Sequence, residues 1–317
     1  YKVEGLPARA RYFLPHSARN FRTYVLDRLP PDERAEVEAW SNMKPAETIF
    51  YPGCNIITTP YLTFSKLFAG LDIRGAPEYC CGEMYFRMGL YEQVEQVAQK
   101  MTRYFSQLGA KTVYLLCTAG LNLFRNILPQ FGADFEGIRF VSYWKCLLDT
   151  LESGELTPDK RFKGARIVVQ DSCHAKLLEP DYAAVPRRVL RALGFEIVEA
   201  PQHGNDMVCC GIGGGFSHEA SYSKGGMLRS QRACMANACN AGADFIGVYC
   251  SGCLQMLSVA KYVAWARTPV YHVIELLQEA LGEEPARRHR KRALDFLRGT
   301  LLNQSTSSKR FRIPPIA

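Results

Sequence analysis

The sequence has no recognisable signal peptide, no low-complexity tract and no uninterrupted apolar run of membrane-spanning length. With 47 % hydrophobic and 22 % charged residues it can bury large cores, so disorder is expected only at the ends. The most apolar stretch, 245–266, approaches the ~20 residues of a membrane span. It nevertheless holds Gln255, Lys261 and two cysteines, and it divides into a strand, a tight turn and a buried helix. Membrane contact is therefore expected only through a partner or a tail. The chain begins at Tyr1 rather than Met, so the missing leader carries little weight, and a cytoplasmic location stands as an expectation. No dinucleotide fingerprint is present, because Gly211-Ile-Gly213-Gly-Gly-Phe lacks the G-x-G-x-x-G spacing. No nucleic-acid motif or aromatic platform accompanies the basic residues either. The net charge of +8 gathers in Arg287, Arg288, Arg290, Lys291 and Arg292 and again in Lys309, Arg310 and Arg312. It reads as a solvated basic helix face, touching an acidic partner rather than nucleic acid.

The 317 residues suggest about two domains. From Ile49 onward short apolar runs alternate with amphipathic helices, the pattern of parallel sheets covered by helices. Thr112–Leu116 and Ile167–Gln170 read as strands. Asp32–Trp40 reads as a helix, and Tyr91–Leu108 as a strong one, since Val94, Val97, Ala98, Met101, Tyr104 and Phe105 recur at helical spacing. The decisive feature is an internal repeat. Tyr51-Pro-Gly-Cys54, Tyr79-Cys-Cys-Gly82 and Tyr114-Leu-Leu-Cys117-Thr-Ala-Gly120 in the first half match Gln170-Asp-Ser-Cys173, Val208-Cys-Cys-Gly211 and Val248-Tyr-Cys250-Ser-Gly-Cys253 in the second. Each half then closes with a strand leading to a helix, near 140–151 and 270–281. The expected fold is α/β: two similar Rossmann-like α/β domains from an internal duplication, related by a pseudo-twofold axis, with an N-terminal helical arm and a C-terminal tail that wanders or docks on a partner.

Twelve cysteines are many for a chain of this size, and a chain with long helices and a large core is no disulfide scaffold. Metal ligands are the better reading. Cys173, Cys209, Cys210, Cys250 and Cys253 are expected where strands end, at the carboxyl edge on which parallel sheets expose functional residues and helix N-termini favour the thiolate. Adjacent cysteines suit neighbouring irons of one cluster better than an unstrained disulfide. Gly211, Gly213, Gly214 and Gly215 let the backbone wrap an inorganic group. Zinc normally takes four ligands in a closed tetrahedron. Five soft thiolates favour an iron-sulfur cluster, with zinc or buried thiols as the alternatives.

The duplicated pattern, with Cys173, the two Cys-Cys-Gly runs and Cys250-Ser-Gly-Cys253, resembles the cysteine-rich CCG domains of the heterodisulfide reductases and their relatives, which include iron-sulfur subunits of glycolate and lactate oxidation. The likeness covers about residues 49 to 281. It implies an N-terminal arm over 1–48, a first CCG domain over 49–160 with a degenerate motif, a second over 161–300 with the complete motif, and a tail over 301–317. It further implies a noncubane four-iron four-sulfur (4Fe-4S) cluster on Cys173, Cys209, Cys210, Cys250 and Cys253, able to split a disulfide with electrons from a flavin-bearing partner. In the first half Gly120 stands where the fifth cysteine would be. Cys54, Cys80, Cys81 and Cys117 remain, enough for a second 4Fe-4S cluster or for zinc.

Two functions follow from that likeness. The first is an oxidoreductase subunit, exchanging electrons with a flavoprotein or ferredoxin-type subunit of a larger complex and reducing a disulfide. The second is a pure relay within a respiratory or hydroxy-acid-oxidising complex. Of the remaining candidates, Cys146, Cys234 and Cys239 read as core thiols, the last two about 140° apart around one helix. His174 reads as an orienting or polar neighbour of Cys173. His203, His218, Lys176 and Glu83 lie near the motifs without a decisive spacing.

Overall fold

The computed structural model describes residues 6–7, 13–17, 20–211, 224–304, 310–311, 313 and 315–316. Gly213, Gly214, Gly215, His218, Lys309 and Arg312 lie outside the described residues. The chain opens with β1 (Leu6–Pro7), α1 (Phe21–Leu26) and α2 (Pro31–Trp40). The first half continues through β2 (Thr48–Phe50), α3 (Gly53–Ile57), α4 (Glu83–Arg87), α5 (Tyr91–Leu108), β3 (Thr112–Leu115), α6 (Thr118–Asn122), β4 (Arg139–Ser142) and α7 (Tyr143–Glu152). The second runs through β5 (Arg166–Gln170), α8 (Ala184–Ala192), β6 (Glu196–Val198), α9 (Lys224–Cys239), β7 (Phe245–Val248), α10 (Ser251–Val263), β8 (Val270–His272) and α11 (Val273–Ala280). Helix α12 (His289–Gln304) and β9 (Arg310–Phe311) close the chain.

The repeat is visible in the topology. A parallel sheet of order β2-β3-β4 serves the first half, and a parallel sheet of order β6-β5-β7-β8 serves the second. Strands β2, β3 and β4 thus correspond to β5, β7 and β8. The place of β6 is held in the first half by a single parallel bridge between Phe50 and Ile73. Strands covered on both faces must be apolar throughout, and Ile49, Phe50, Val113, Ile167, Val168 and Ile246 are all fully buried. Helix α5 is amphipathic as its spacing predicts. Val94, Val97, Ala98, Met101, Tyr104, Phe105 and Leu108 face the core, each large side chain contributing roughly 1.5–3 kcal/mol. The helix stops at Gly109, whose φ of 64° lets its N–H return to the carbonyls of Phe105 and Ser106.

Two expectations about the periphery are corrected. The tail docks on its own chain: β9 pairs antiparallel with β1, and buried Ile316 donates its N–H to Gln96 Oε1 at 2.7 Å. The basic segment is solvated at Arg287, Arg290 and Lys291 as expected, but at Arg288 and Arg292 it finds an acidic partner internally. Helices α1 and α12 pack together, Arg288 pairs with Asp32 at 2.8 Å and Glu33 at 2.7 Å, and Arg292 reaches Glu33 at 2.5 Å. Glu33 and Arg292 are both buried, and mutual neutralisation lets two charges leave water together. Among the described residues no helix is long and apolar enough to cross a membrane.

The N-cap of α11 sets a pH dependence. His272 is fully buried, its Nδ1 accepts the Ile274 N–H at 3.4 Å, and its own N–H donates to Glu275 Oε2 at 2.8 Å. Burial lowers its pKa from 6.5 to about 4, with Glu275 opposing. The unfolded chain therefore binds the extra proton first, so stability is full above pH 6.5 and declines as pH falls towards 4. The loss should be on the order of 3 kcal/mol from this group. Urea unfolding across that range should show a smaller decline in His272→Asn, which keeps a capping side chain; an identical decline would show that His272 does not titrate in this way.

Candidate metal centre

Each motif is assembled at the carboxyl end of its sheet. Cys54 enters α3 just after β2, and Cys117 is the N-cap of α6 just after β3. In the second half Cys173 follows β5, Cys250 is the N-cap of α10 after β7, and Cys253 lies in that helix's first turn. Cys209 and Cys210 depart from the expected strand-end position, since a loop containing a short 3-10 turn at Gly204–Asp206 separates them from β6. The glycine after each Cys-Cys pair has a steric reason. Gly82 and Gly211 adopt φ of 74° and 99°, and a Cβ at Gly211 would lie 2.8 Å from the Gln231 backbone nitrogen.

Matched hydrogen bonds hold the loops. Tyr51 donates its hydroxyl to the carbonyl of Tyr79 at 2.5 Å, and Gln170, its counterpart in the repeat, donates Nε2 to the carbonyl of Val208 at 2.8 Å. Both acceptors immediately precede a Cys-Cys pair. The second half adds a carboxylate hub absent from the first, where Pro52 takes the corresponding place. Buried Asp171 accepts two bonds from Arg187 at 2.8 Å, one from the Gly204 N–H at 2.7 Å and one from the Tyr249 hydroxyl at 3.2 Å. Tyr249 also accepts the Ser172 N–H at 3.0 Å. One side chain therefore ties together the segments that carry Cys173, Cys209 and Cys250.

All twelve cysteines are free thiols. The motif thiols lie within electrostatic reach of one another in a row: Cys173 with Cys209, Cys209 with Cys210, Cys210 with Cys253, Cys253 with Cys250, and Cys250 with Cys117 of the first half. A shorter row joins Cys54, Cys80 and Cys81. Cys209, receiving hydrogen bonds from Cys173 and Cys210, is held far below the usual thiol range. Cys250, receiving them from Cys117 and Cys253, is held low in the same way. The donating thiols Cys173, Cys210, Cys117 and Cys253 are correspondingly raised. Among the described residues no three His, Cys, Asp or Glu side chains close around a single-ion position.

The donor set fits an iron-sulfur cluster on two counts. It consists of soft thiols on backbone that glycines allow to approach closely. Buried hydroxyls of Thr118, Ser172 and Ser251, each next to a motif cysteine, find no hydrogen-bond partner among the described residues. Buried hydroxyls are normally satisfied, so an acceptor such as inorganic sulfide suits them.

Basic and polar residues that carry no sequence signature complete the site. Arg22 of α1, buried, donates Nη2 to Cys54 Sγ at 3.0 Å. Arg87 of α4 approaches Cys173 Sγ at 3.9 Å and bonds Glu83 through Nε at 2.6 Å. His174 Nε2 meets the same Glu83 oxygen at 3.1 Å. Asn122 Oδ1 accepts from Asn126 at 2.9 Å, leaving its amide nitrogen to donate to His174 Nδ1 at 3.1 Å. Arg87 Nη2 lies 3.2 Å from the same Nε2, so the imidazole sits against both members of the Glu83–Arg87 pair. Burial alone would raise the Glu83 carboxyl, but Arg87 and His174 outweigh it and hold it down to about 2. Glu83 and His174 thus join the site as an orienting pair. Lys176 is exposed, and His203 turns to the Ala200 carbonyl at 2.7 Å. Cys146 and Cys239 are half-buried away from the thiol rows, whereas fully buried Cys234 borders Cys209, which together with burial pushes its thiol up to about 12.

The family model of the cysteine-rich domain, CCG, matches residues 49–119 and 167–258. The chain belongs to the CCG family. The two matched segments are the two halves of the repeat, so this CCG protein carries the domain twice. It is 28 % identical over 218 residues to the EtfAB:quinone oxidoreductase of Syntrophomonas wolfei, covering 65 % of this chain and 29 % of that protein. It is 29 % identical over 233 residues to the probable iron-sulfur-binding oxidoreductase FadF of Bacillus subtilis, covering 70 % of this chain and 32 % of that protein. Against a dihydromethanophenazine:CoB–CoM heterodisulfide reductase component of Methanosarcina barkeri identity is 26 % over 266 residues, 80 % of this chain and 62 % of that protein. The chain thus spans about a third of the first two relatives' length.

Asp171→Asn should cost about 3 kcal/mol in urea unfolding, since it leaves a buried guanidinium under-compensated. Glu199→Gln, on the exposed side of the same arginine, should cost about 1 kcal/mol or less. Equal losses would deny Asp171 its hub role. Gly211→Ala should lower Tm more than Gly132→Ala, which shares the positive φ but meets open space.

Proposed function

We propose that this chain is an iron-sulfur redox subunit, an oxidoreductase component that exchanges electrons with a flavoprotein or ferredoxin-type partner in a larger complex. In this reading Cys173, Cys209, Cys210, Cys250 and Cys253 of the second CCG domain hold a noncubane 4Fe-4S cluster. Cys54, Cys80, Cys81 and Cys117 of the first hold a second cluster. The observation that carries the reading is the row of buried and half-buried thiols from Cys173 to Cys117, which offers more soft donors than one ion can use and brings the two motifs within electrostatic reach of each other. Such a group, when bound, takes up and releases single electrons. The chain's own residues fix and insulate it: Asp171 and Gln170 hold the loops, most of the thiols are buried from solvent, and Arg22 and Arg87 offset negative charge.

The relatives supply the partner class. One is an EtfAB:quinone oxidoreductase and another a heterodisulfide reductase component, which suits electron entry from a flavoprotein and, for the second motif, reduction of a disulfide. Reducing a disulfide to two thiols takes two electrons, delivered singly by the partner, and two protons. The Cys117–Cys250 contact suits electron exchange between the two motifs.

Anaerobic iron and sulfide analysis, with electron paramagnetic resonance after oxidation, tests the reading on wild type and Cys253→Ser. The expected result is about four irons for the second motif, with an oxidised paramagnetic signal lost or altered in the variant. Zinc without iron would overturn it.

A further inference from the structure

The cysteines that open the two motifs, Cys54 and Cys173, occupy equivalent places in the repeat, and each meets one guanidinium. Neither arginine comes from an equivalent place. Arg22 reaches Cys54 at 3.0 Å from α1, ahead of the first sheet, while Arg87 reaches Cys173 at 3.9 Å from α4 of the opposite half. Arg22 also lies within electrostatic reach of Cys80 and Cys81, and Arg87 of Cys209. Both are shielded from water: Arg22 is 4 % exposed, and the Arg87 side chain is 21 % exposed. Arg87 is not free to swing away, because Glu83 holds it four residues back on the same helix and His174 and Asn122 hold Glu83 and the imidazole in turn. The same function, a fixed cation against the first thiol, has been reached from two unrelated positions in the chain.

We propose that Arg22 and Arg87 are the positioning residues that set the reduction potentials of the two proposed centres, Arg22 for the first motif and Arg87 for the second, so that the second centre is tuned by a residue of the first half. The physical basis is electrostatic. Reduction adds one electron from the partner to a centre already made negative by its thiolates, and it breaks no bond of the protein. A fixed guanidinium in a site of low dielectric favours the added charge, and a hydrogen bond to the ligand sulfur withdraws density from it, so both effects raise the potential. Second-shell hydrogen bonds tune metal groups in this way without touching the metal. Arginine suits the task better than lysine, because its planar fork can serve Glu83 and a sulfur together while remaining charged.

This inference rests on the iron-sulfur reading, and the two can fail separately. Iron and sulfide are counted first on the wild-type protein; their absence sinks the reading itself. With clusters present, anaerobic spectroelectrochemical titration follows on wild type, Arg22→Gln and Arg87→Gln, the centres being told apart by the signal that Cys253→Ser removes. Arg87→Gln should lower the midpoint of the second centre by at least a tenfold change in its reduction equilibrium, about 59 mV for one electron, and leave the first unchanged. Arg22→Gln should do the reverse. Where glutamine costs the iron, Arg22→Lys and Arg87→Lys carry the test, keeping charge but losing the fork, and should give a smaller drop on the same centre. Full iron with unmoved midpoints, or a drop on the opposite centre, overturns the assignment while leaving the iron-sulfur reading intact.

Discussion

The second motif depends on one buried carboxylate. Three of its cysteine segments leave the sheet at different strands and would splay apart on their own. Asp171 is the point at which they are cross-tied, through the Gly204 N–H ahead of Cys209, the hydroxyl of Tyr249 beside Cys250, and its own place two residues before Cys173. The arginine that neutralises it, Arg187, is anchored in turn by Glu199 at 2.7 Å. Hydrogen bonds to charged groups contribute about 1.5–3 kcal/mol each, and a hub accepting four of them makes loop position a property of the core rather than of the loops. The first half has proline at the matching place, and its loop is held by the Tyr51 hydroxyl and by His16 Nε2, which meets the Glu78 carbonyl at 3.0 Å.

Negative charge is the second constraint. Nine motif thiols are gathered in two rows, and thiolates there would repel one another strongly at sites most of which are shielded from water. The fold answers in two ways. Neighbouring thiols favour the thiolate at Cys209 and Cys250 over the rest, and a buried guanidinium, Arg22, and a half-buried one, Arg87, stand against the opening cysteine of each row. The hydroxyls of Thr118, Ser172 and Ser251, which find no partner among the described residues, point the same way, since an acceptor of negative charge would suit them.

The repeat, the parallel α/β class and the cysteine spacing were legible in the sequence because each is a local pattern. Alternating apolar runs name strands, and the buried face of α5 follows from periodicity. The polar scaffold was not legible. Arg22 lies 32 residues before Cys54, and Arg87 lies 86 before Cys173, so only the folded chain brings them to sulfur. Asp171 could have been noticed, since it breaks the repeat inside a motif, but its partners come from Gly204, Tyr249 and Arg187. The basic segment was legible only in part for the same reason: Arg287, Arg290 and Lys291 are solvated as expected, but Arg288 and Arg292 meet Asp32 and Glu33, more than 250 positions away. Short-range grammar gives elements; long-range ion pairs must be seen.

The junction between the halves also bears on how such a chain can change over time. The half that lacks a fifth cysteine still supplies Glu83, Arg87 and Asn122 to the surroundings of Cys173 and His174 in the other, and Cys117 to the side of Cys250. A duplicated unit that has lost part of its own equipment is usually free to decay or be trimmed. Here the unit lends its contacts to the other copy. The two copies have ceased to be interchangeable modules, and a recombination that swapped either one for a relative's intact version would have to bring matching contacts across the seam.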